Sequence, residues 1–228
     1  MLSLLIISPK SDESYRRTVE SVKALHPTVL IDTSTDSLGV RKNRLIKKAK
    51  TNWVLLLDTD EIASLHLVKE IQTILKNDST DIHGYEIPYQ NYVFGKPVYY
   101  GGEKYSKVRL FQKNYGSVTN VPIHEEVVVA GSIGTLTGII HHYSYRTLRQ
   151  VLSKFTRYAW LVAGEKRRIG ERVTIKKLFL YGPHMFWARF VGDKGYRDGW
   201  RGYILAKSFG YMEGATYWLL LWRTILSV

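Results

Sequence analysis

Four polar residues, Asp58-Thr59-Asp60-Glu61, follow the most hydrophobic run of the chain, Trp53-Val54-Leu55-Leu56-Leu57. Residues two apart on an extended backbone point to the same side, so Asp58 and Asp60 can converge. Paired carboxylates repel unless a cation sits between them. With oxygen ligands the natural candidate is a divalent ion, Mg2+ or Mn2+. Such an ion also binds a diphosphate and balances the charge that grows as the diphosphate leaves. A bare Asp-x-Asp is equally an acidic turn capping the next helix. Position favours the functional reading, because this cluster closes a buried strand.

Other groups with chemical capacity are scattered along the chain. Ser8 and Asp32 each close a short apolar run, and Pro9 follows Ser8. Lys107 and Arg109 alternate with Val108 and Leu110, which fits a strand reaching for a diphosphate or an ordinary solvated strand face. His142 offers a neutral imidazole to a metal or a phosphate, and is equally suited to a half-buried structural place. His141 is the lesser candidate of the two.

The elements that must position these groups are readable from periodicity. Residues 4–7, 28–32 and 52–58 read as strands, and the last lacks alternation, as a strand covered on both faces should. Residues 15–25 read as a helix with Val19, Val22 and Leu25 on one face and Ser11 or Asp12 as cap. Residues 38–50 read as a second, with Leu45, Ile46 and Ala49 inward and the basic residues outward. Residues 65–76 read as a third, carrying Val68, Ile71 and Leu75. Alternating strands and helices predict parallel strands joined by right-handed crossovers. Ligands of such sheets bind beyond the carboxyl ends of the strands, where Ser8, Asp32 and Asp58 stand.

From residue 83 the texture changes to short strands, 85–89, 107–111 and 126–130, punctuated by glycines. After residue 144 helical patterns return, at 147–166, 176–190 and from 200 onward. The predicted fold class is α/β. A nucleotide-binding domain with a mostly parallel central sheet covers 1–145, its halves dividing near 82, and a helical C-terminal extension covers 146–228.

Composition narrows the partners. The 228 residues carry 33 Lys and Arg against 20 Asp and Glu, a net charge of +13. Nucleic acid, acidic lipid headgroups and phosphorylated substrates all answer to such an excess. A hydrophobic fraction of 45% supports a folded core and excludes general disorder. Without cysteine there are no disulfides, thiolate metal sites or thiol nucleophiles, and the simplest expectation is a reducing, cytoplasmic setting. No basic stretch precedes the apolar run at 2–7, so a signal peptide is not expected. The apolar stretch 214–222 falls far short of the roughly 20 residues that span a bilayer.

The last third is basic and aromatic. Trp200, Tyr203, Tyr211, Tyr217, Trp218 and Trp222 lie among Arg201, Lys207 and Arg223. Rings beside cations suit the headgroup layer of a membrane, and they equally suit final helices packed onto the rest of the protein. A basic face formed by Lys166, Arg167, Arg168, Arg172, Lys176 and Lys177 would suit peripheral contact with an anionic membrane surface.

Several motifs in order resemble the inverting glycosyltransferase family 2, of GT-A type. They are Ile31-Asp32-Thr33-Ser34-Thr35-Asp36, then Arg41-Lys42-Asn43-Arg44, then the run from Trp53 to Glu61. Downstream, Lys107-Val108-Arg109-Leu110-Phe111, Ile123-His124-Glu125 and His141-His142-Tyr143-Ser144 are similar to the branch that includes lipopolysaccharide-core glucosyltransferases. Lys42 stands where an arginine is common, and the segment after Ile31 is one residue short and lacks a glycine.

The resemblance implies a nucleotide-sugar donor, a UDP-sugar, and a surface-glycan or lipid-linked acceptor, with no nucleic acid partner. It implies that Ser8, Pro9, Asp32, Asn43, Asp58 and Arg109 bind the donor, that Asp58, Asp60 and His142 hold the metal, and that Glu125 is the catalytic base. An inverting transfer needs one carboxylate to take the proton of the acceptor hydroxyl; a surface carboxylate paired with a lysine is the plain alternative for Glu125. Two other functions fit parts of the sequence: a basic nucleic-acid-binding protein, and a non-catalytic relative that binds glycan.

Overall fold

The computed structural model describes residues 1–8, 15–77, 81–121 and 125–226. Pro9, the expected caps Ser11 and Asp12, and Ile123 and His124 lie outside the described residues.

The first elements are β1 (Leu2–Ile7), α1 (Tyr15–Ser21), β2 (Thr28–Asp32), α2 (Leu38–Lys48) and β3 (Trp53–Asp58). Strand β1 is central, with β2 and β3 as parallel neighbours; Leu4 stands opposite both Val29 and Leu55. Leu4, Ile6, Leu55 and Leu57 enter one core with Val22. The intervening Leu5, Val54 and Leu56 enter a second core with Leu45 and Ile46 of α2. Both faces are therefore apolar, which explains the missing alternation in the sequence. The first helix is shorter than expected, ending at Ser21 before a single 3-10 turn over Lys23–Leu25. Pro27 has no N–H with which to continue it.

After β3 the chain turns into a three-residue strand, β4 (Glu61–Ala63), and then α3 (Leu65–Lys76). Ser64 caps α3, its side chain accepting from Leu67 N at 3.2 Å. The later strands are β5 (Ile82–Val93), β6 (Lys96–Pro97), β7 (Ser106–Gln112), β8 (Gly116–Val118), β9 (Val127–Val129), β10 (Ser132–Thr135) and β11 (Ile140–Tyr145). The sheet order is β2-β1-β3-β7-β5-β11-β4, with β6 and β10 also on β5 and with β8 and β9 paired separately. Strand β7 runs antiparallel to both β3 and β5. The class is α/β, with a mixed sheet that is parallel across β2, β1 and β3.

The chain forms two compact units, Met1–Gln90 with Tyr105–Tyr143, and Asn91–Lys104 with Ser144–Val228. The second is built on α4 (Leu148–Arg168), α5 (Ile175–Trp187) and α6 (Gly199–Ile225). Thr147 and Gln150 close a capping box at the start of α4, and Thr174 caps α5. Helix α6 packs on both α4 and α5. At Gly182 and Gly210 the backbones of α5 and α6 close so tightly that a Cβ on Gly210 would lie 2.8 Å from the Gly182 carbonyl oxygen.

Inside this unit Lys166, Lys177 and Tyr217 converge on Glu171 at 2.8, 3.0 and 3.0 Å. Burial pushes the Glu171 carboxyl up, but these three donors outweigh it and hold its pKa at about 2. Lys166 and Lys177 are thus partners of a carboxylate and not part of an open basic face. Of Trp200, Tyr203, Tyr211, Tyr217, Trp218 and Trp222, only Tyr217 is buried, at 2% exposure; the others are 43–55% exposed. No helix among the described residues is long and apolar enough to cross a membrane.

Candidate functional site at the end of strand β3

The acidic motif folds back on itself. Asp58 ends β3, Thr59 and Asp60 form the turn, and Glu61 accepts a hydrogen bond from Asp58 N at 2.9 Å. Thr18, buried on α1, donates to the Glu61 carbonyl at 2.8 Å and secures the turn from below. Glu61 itself is 1% exposed. Its Oε1 accepts from Arg109 Nη2 at 2.9 Å and from the Tyr89 hydroxyl at 2.9 Å. A buried carboxylate persists only when paired and hydrogen-bonded. Glu61 is therefore the anchor of the motif, while Asp58 and Asp60 keep about a third of their side-chain surface open.

Asp58 lies between two cations. Arg109 Nη2 is 3.1 Å from one oxygen, and Lys42 Nζ is 3.9 Å from the other. Burial pushes its carboxyl up, but the charges of Lys42, Arg109 and His142 prevail and hold it well below the usual carboxylate range. Arg109, expected either to reach a diphosphate or to lie on a solvated strand face, is itself buried. Burial pulls its pKa down, but Glu61, Tyr89 and Asp58 raise it well above the ordinary value. Lys107, its neighbour on β7, has its pKa lowered by burial and by Arg109.

Asp60 pairs with His142, Oδ2 to Nε2 at 3.5 Å. The register of β11 against β4, with His142 opposite Glu61, brings the imidazole to the turn. The Asp60 carbonyl accepts from Tyr143 N at 2.9 Å, and Tyr105 OH stands 3.5 Å from His142 Nδ1.

Glu125 reaches the same cluster through Lys42, whose ammonium donates to its Oε1 at 2.9 Å. Close docking of α2 makes this possible. A Cβ on Gly39 would lie 2.5 Å from the Thr119 carbonyl oxygen, so only glycine permits the approach. Asn43 reinforces it, its amide donating to Val118 O at 2.7 Å and accepting from Val118 N at 2.9 Å. The amide of Asn43 is thereby engaged by strand β8.

Ser8 and Asp32 form a second group at the ends of β1 and β2. Ser8 N donates to Asp32 O at 3.1 Å, and Arg41 Nη2 binds the carbonyls of both residues. The Asp32 carboxylate, 6% exposed, accepts from Ser34 N, Ser34 Oγ, Arg44 Nη1 and Arg41 Nε at 2.8, 2.6, 2.9 and 3.3 Å. Burial pushes its pKa up, but the hydrogen bonds of Ser34, Arg44 and Arg41 bring it to about 2.

The structure thus joins Asp58, Asp60, Arg109, Glu125 and His142 in one cluster and keeps Ser8 with Asp32 in another. Sequence reasoning missed Lys42 and Tyr89 as members. The basic residues of α2 were expected outward, yet Lys42 is 4% exposed. A signal was present: residues 42, 45, 46 and 49 share one helical face, and a lysine on an apolar face must find a counter-charge.

Among the described residues no group of three or more His, Asp and Glu side chains gathers as a metal-ligand set. Asp60 and His142 nonetheless supply two donors 3.5 Å apart. Bonds of about 2.1 Å meeting at one ion place adjacent donor atoms roughly 3 to 3.5 Å apart. Mg2+ commonly takes one or two protein groups and completes its shell with phosphate oxygens and water. The pair fits an ion that arrives with a diphosphate.

No protein-family model matches the chain. In sequence it is similar to an uncharacterized glycosyltransferase of Rickettsia typhi, 27% identical over 217 residues, covering 88% of this chain and 72% of that protein. It is likewise similar to an uncharacterized glycosyltransferase of Rickettsia prowazekii, 25% identical with the same coverage. Among solved structures it is similar to residues 1–349 of S. aureus TarS, with 9% identity, a TM-score of 0.44, and coverage of 100% of this chain and 92% of that one. For the same TarS fragment in complex with UDP-GlcNAc the values are 10%, 0.43, 99% and 92%.

Proposed function

We propose that this chain is an inverting glycosyltransferase that moves a sugar from a UDP-sugar to a surface-glycan or lipid-linked acceptor, with a divalent ion at Asp60 and His142. The observation that carries the reading is the cluster at the carboxyl end of β3, where Lys42 ties Glu125 to Asp58 and Asp60 pairs with His142. The similarity to two proteins named glycosyltransferases, over most of the chain, supports it.

In this mechanism the acceptor hydroxyl lies beside Glu125, which takes its proton as the oxygen attacks the anomeric carbon. The bond from that carbon to the diphosphate oxygen breaks on the opposite side, so the configuration inverts and UDP departs. The ion, when bound, supplies positive charge to the leaving diphosphate. Lys42 orients Glu125 through a charge-assisted hydrogen bond and adds a cation near the place where negative charge develops. Arg109 and Glu61 hold the Asp58–Asp60 turn in position.

Calorimetric titration of UDP, with and without Mn2+, tests the reading on the parent and on Asp60→Ala. Expected is Mn2+-dependent binding that the substitution weakens by roughly 10- to 100-fold. Absence of UDP binding in both conditions would overturn the assignment of the donor.

A further inference from the structure

The charge excess of this protein is confined to one of its units. Residues 91–104 and 144–228 hold 18 Lys and Arg against 6 Asp and Glu, whereas the other unit holds 15 against 14. The helical unit therefore carries +12 of the total +13. It also exposes large apolar side chains in a regular pattern. On α5, Ile175, Phe179, Pro183 and Trp187 recur every four residues on the open side, with Ile175 79% and Trp187 63% exposed.

Phe179 belongs to a row of rings that crosses three helices. Trp160 of α4 meets Trp222 of α6 at 6.2 Å between ring centroids. One helical turn away on α6, Trp218 meets Phe179 of α5 at 5.6 Å, edge to face. All four rings are 46–58% exposed, so the row Trp160–Trp222–Trp218–Phe179 lies open along its length. Cations lie against its rings: the Arg223 guanidinium is 3.8 Å from the centre of Trp160, and Lys207 lies over the exposed Tyr203 farther along α6.

We propose that this face of α4, α5 and α6 docks on the surface of an anionic lipid bilayer. Rings and aliphatic side chains enter the headgroup layer while Lys and Arg meet the lipid phosphates. Two observations choose a bilayer over nucleic acid, which the charge alone would also attract. Ile175, Leu180 and Ile225, 79%, 56% and 69% exposed, have no π-face on which a base stacks, and gain only from contact with hydrocarbon. Trp160 also touches Trp222 at a tilt and Phe179 meets Trp218 edge to face, so neither pair presents the parallel faces between which a base stacks. No helix among the described residues crosses a membrane, so the contact is with one leaflet. The inference stands apart from the proposed transfer reaction and does not depend on it.

The test is flotation of the whole protein with 100-nm vesicles of phosphatidylcholine alone and with about 30% phosphatidylglycerol. Expected is flotation with the anionic vesicles that weakens with salt and falls by roughly tenfold or more in Phe179→Ser/Trp218→Ser/Trp222→Ser. Circular dichroism and thermal melting establish that the triple variant is folded. A measurement without substitutions accompanies it: tryptophan emission of the parent should be quenched by lipids carrying a nitroxide near the headgroup. Failure to float with anionic vesicles at low salt, or flotation without quenching, overturns the proposal. So does displacement of the protein from vesicles by duplex DNA in a manner that requires the same three rings.

Discussion

Lys42 and Glu125, 83 positions apart in the chain, form a direct ion pair of 2.9 Å, and the same ammonium stands 3.9 Å from Asp58. One buried cation thus connects the expected base to the acidic turn at the end of β3. Its removal would leave two carboxylates of like charge with no shared partner.

Lys42→Met should therefore lower kcat by about 100-fold through misplacement of Glu125. Lys42→Arg keeps the charge and should retain most of the activity. Steady-state kinetics with the UDP-sugar that turns over provide the check. Equal activity in Lys42→Met and the parent would remove Lys42 from the mechanism.

Arg109→Met should destabilise the protein by about 3–5 kcal/mol, because Glu61 would remain buried without its guanidinium. Urea unfolding measures this directly. Adding Glu61→Gln to Arg109→Met should restore part of the loss, since the uncompensated charge is then gone.

Asp32 sets an acid limb of stability. Its folded pKa of about 2 lies below the ordinary 3.8, so the unfolded chain binds the proton first as pH falls. Its contribution, about 2 kcal/mol, is complete above pH 4 to 5 and is lost progressively as pH drops toward 2. Urea unfolding at pH 7, 4 and 2.5 should show the loss. In Asp32→Asn the fall over the same range should be shallower by that amount.

Much of this architecture is legible in local sequence. The apolar runs at 4–7 and 53–57, the helical spacing of 65–76 and the position of Asp32 and Asp58 at strand ends all emerge from side-chain periodicity. The short strands β4, β6 and β8 do not, since two or three residues carry no period. The outward placement expected for the basic residues of α2 fails at Lys42, because helical spacing identifies a face without saying what covers it.

By itself, the sequence determined the class of the fold, the strand end that bears the acidic motif and the basic, aromatic character of the last third. Tertiary structure alone decided which charges meet. Arg109 and Asp58 are 51 residues apart, and Lys42 and Glu125 are 83 apart. Glu61 became an anchor through Arg109 of β7 and Tyr89 of β5, and Asp60 a partner of His142 through the register of β4 against β11. The physical reason is range: periodicity and propensity act over a few residues, whereas charge pairing depends on distances set only when the strands take their places.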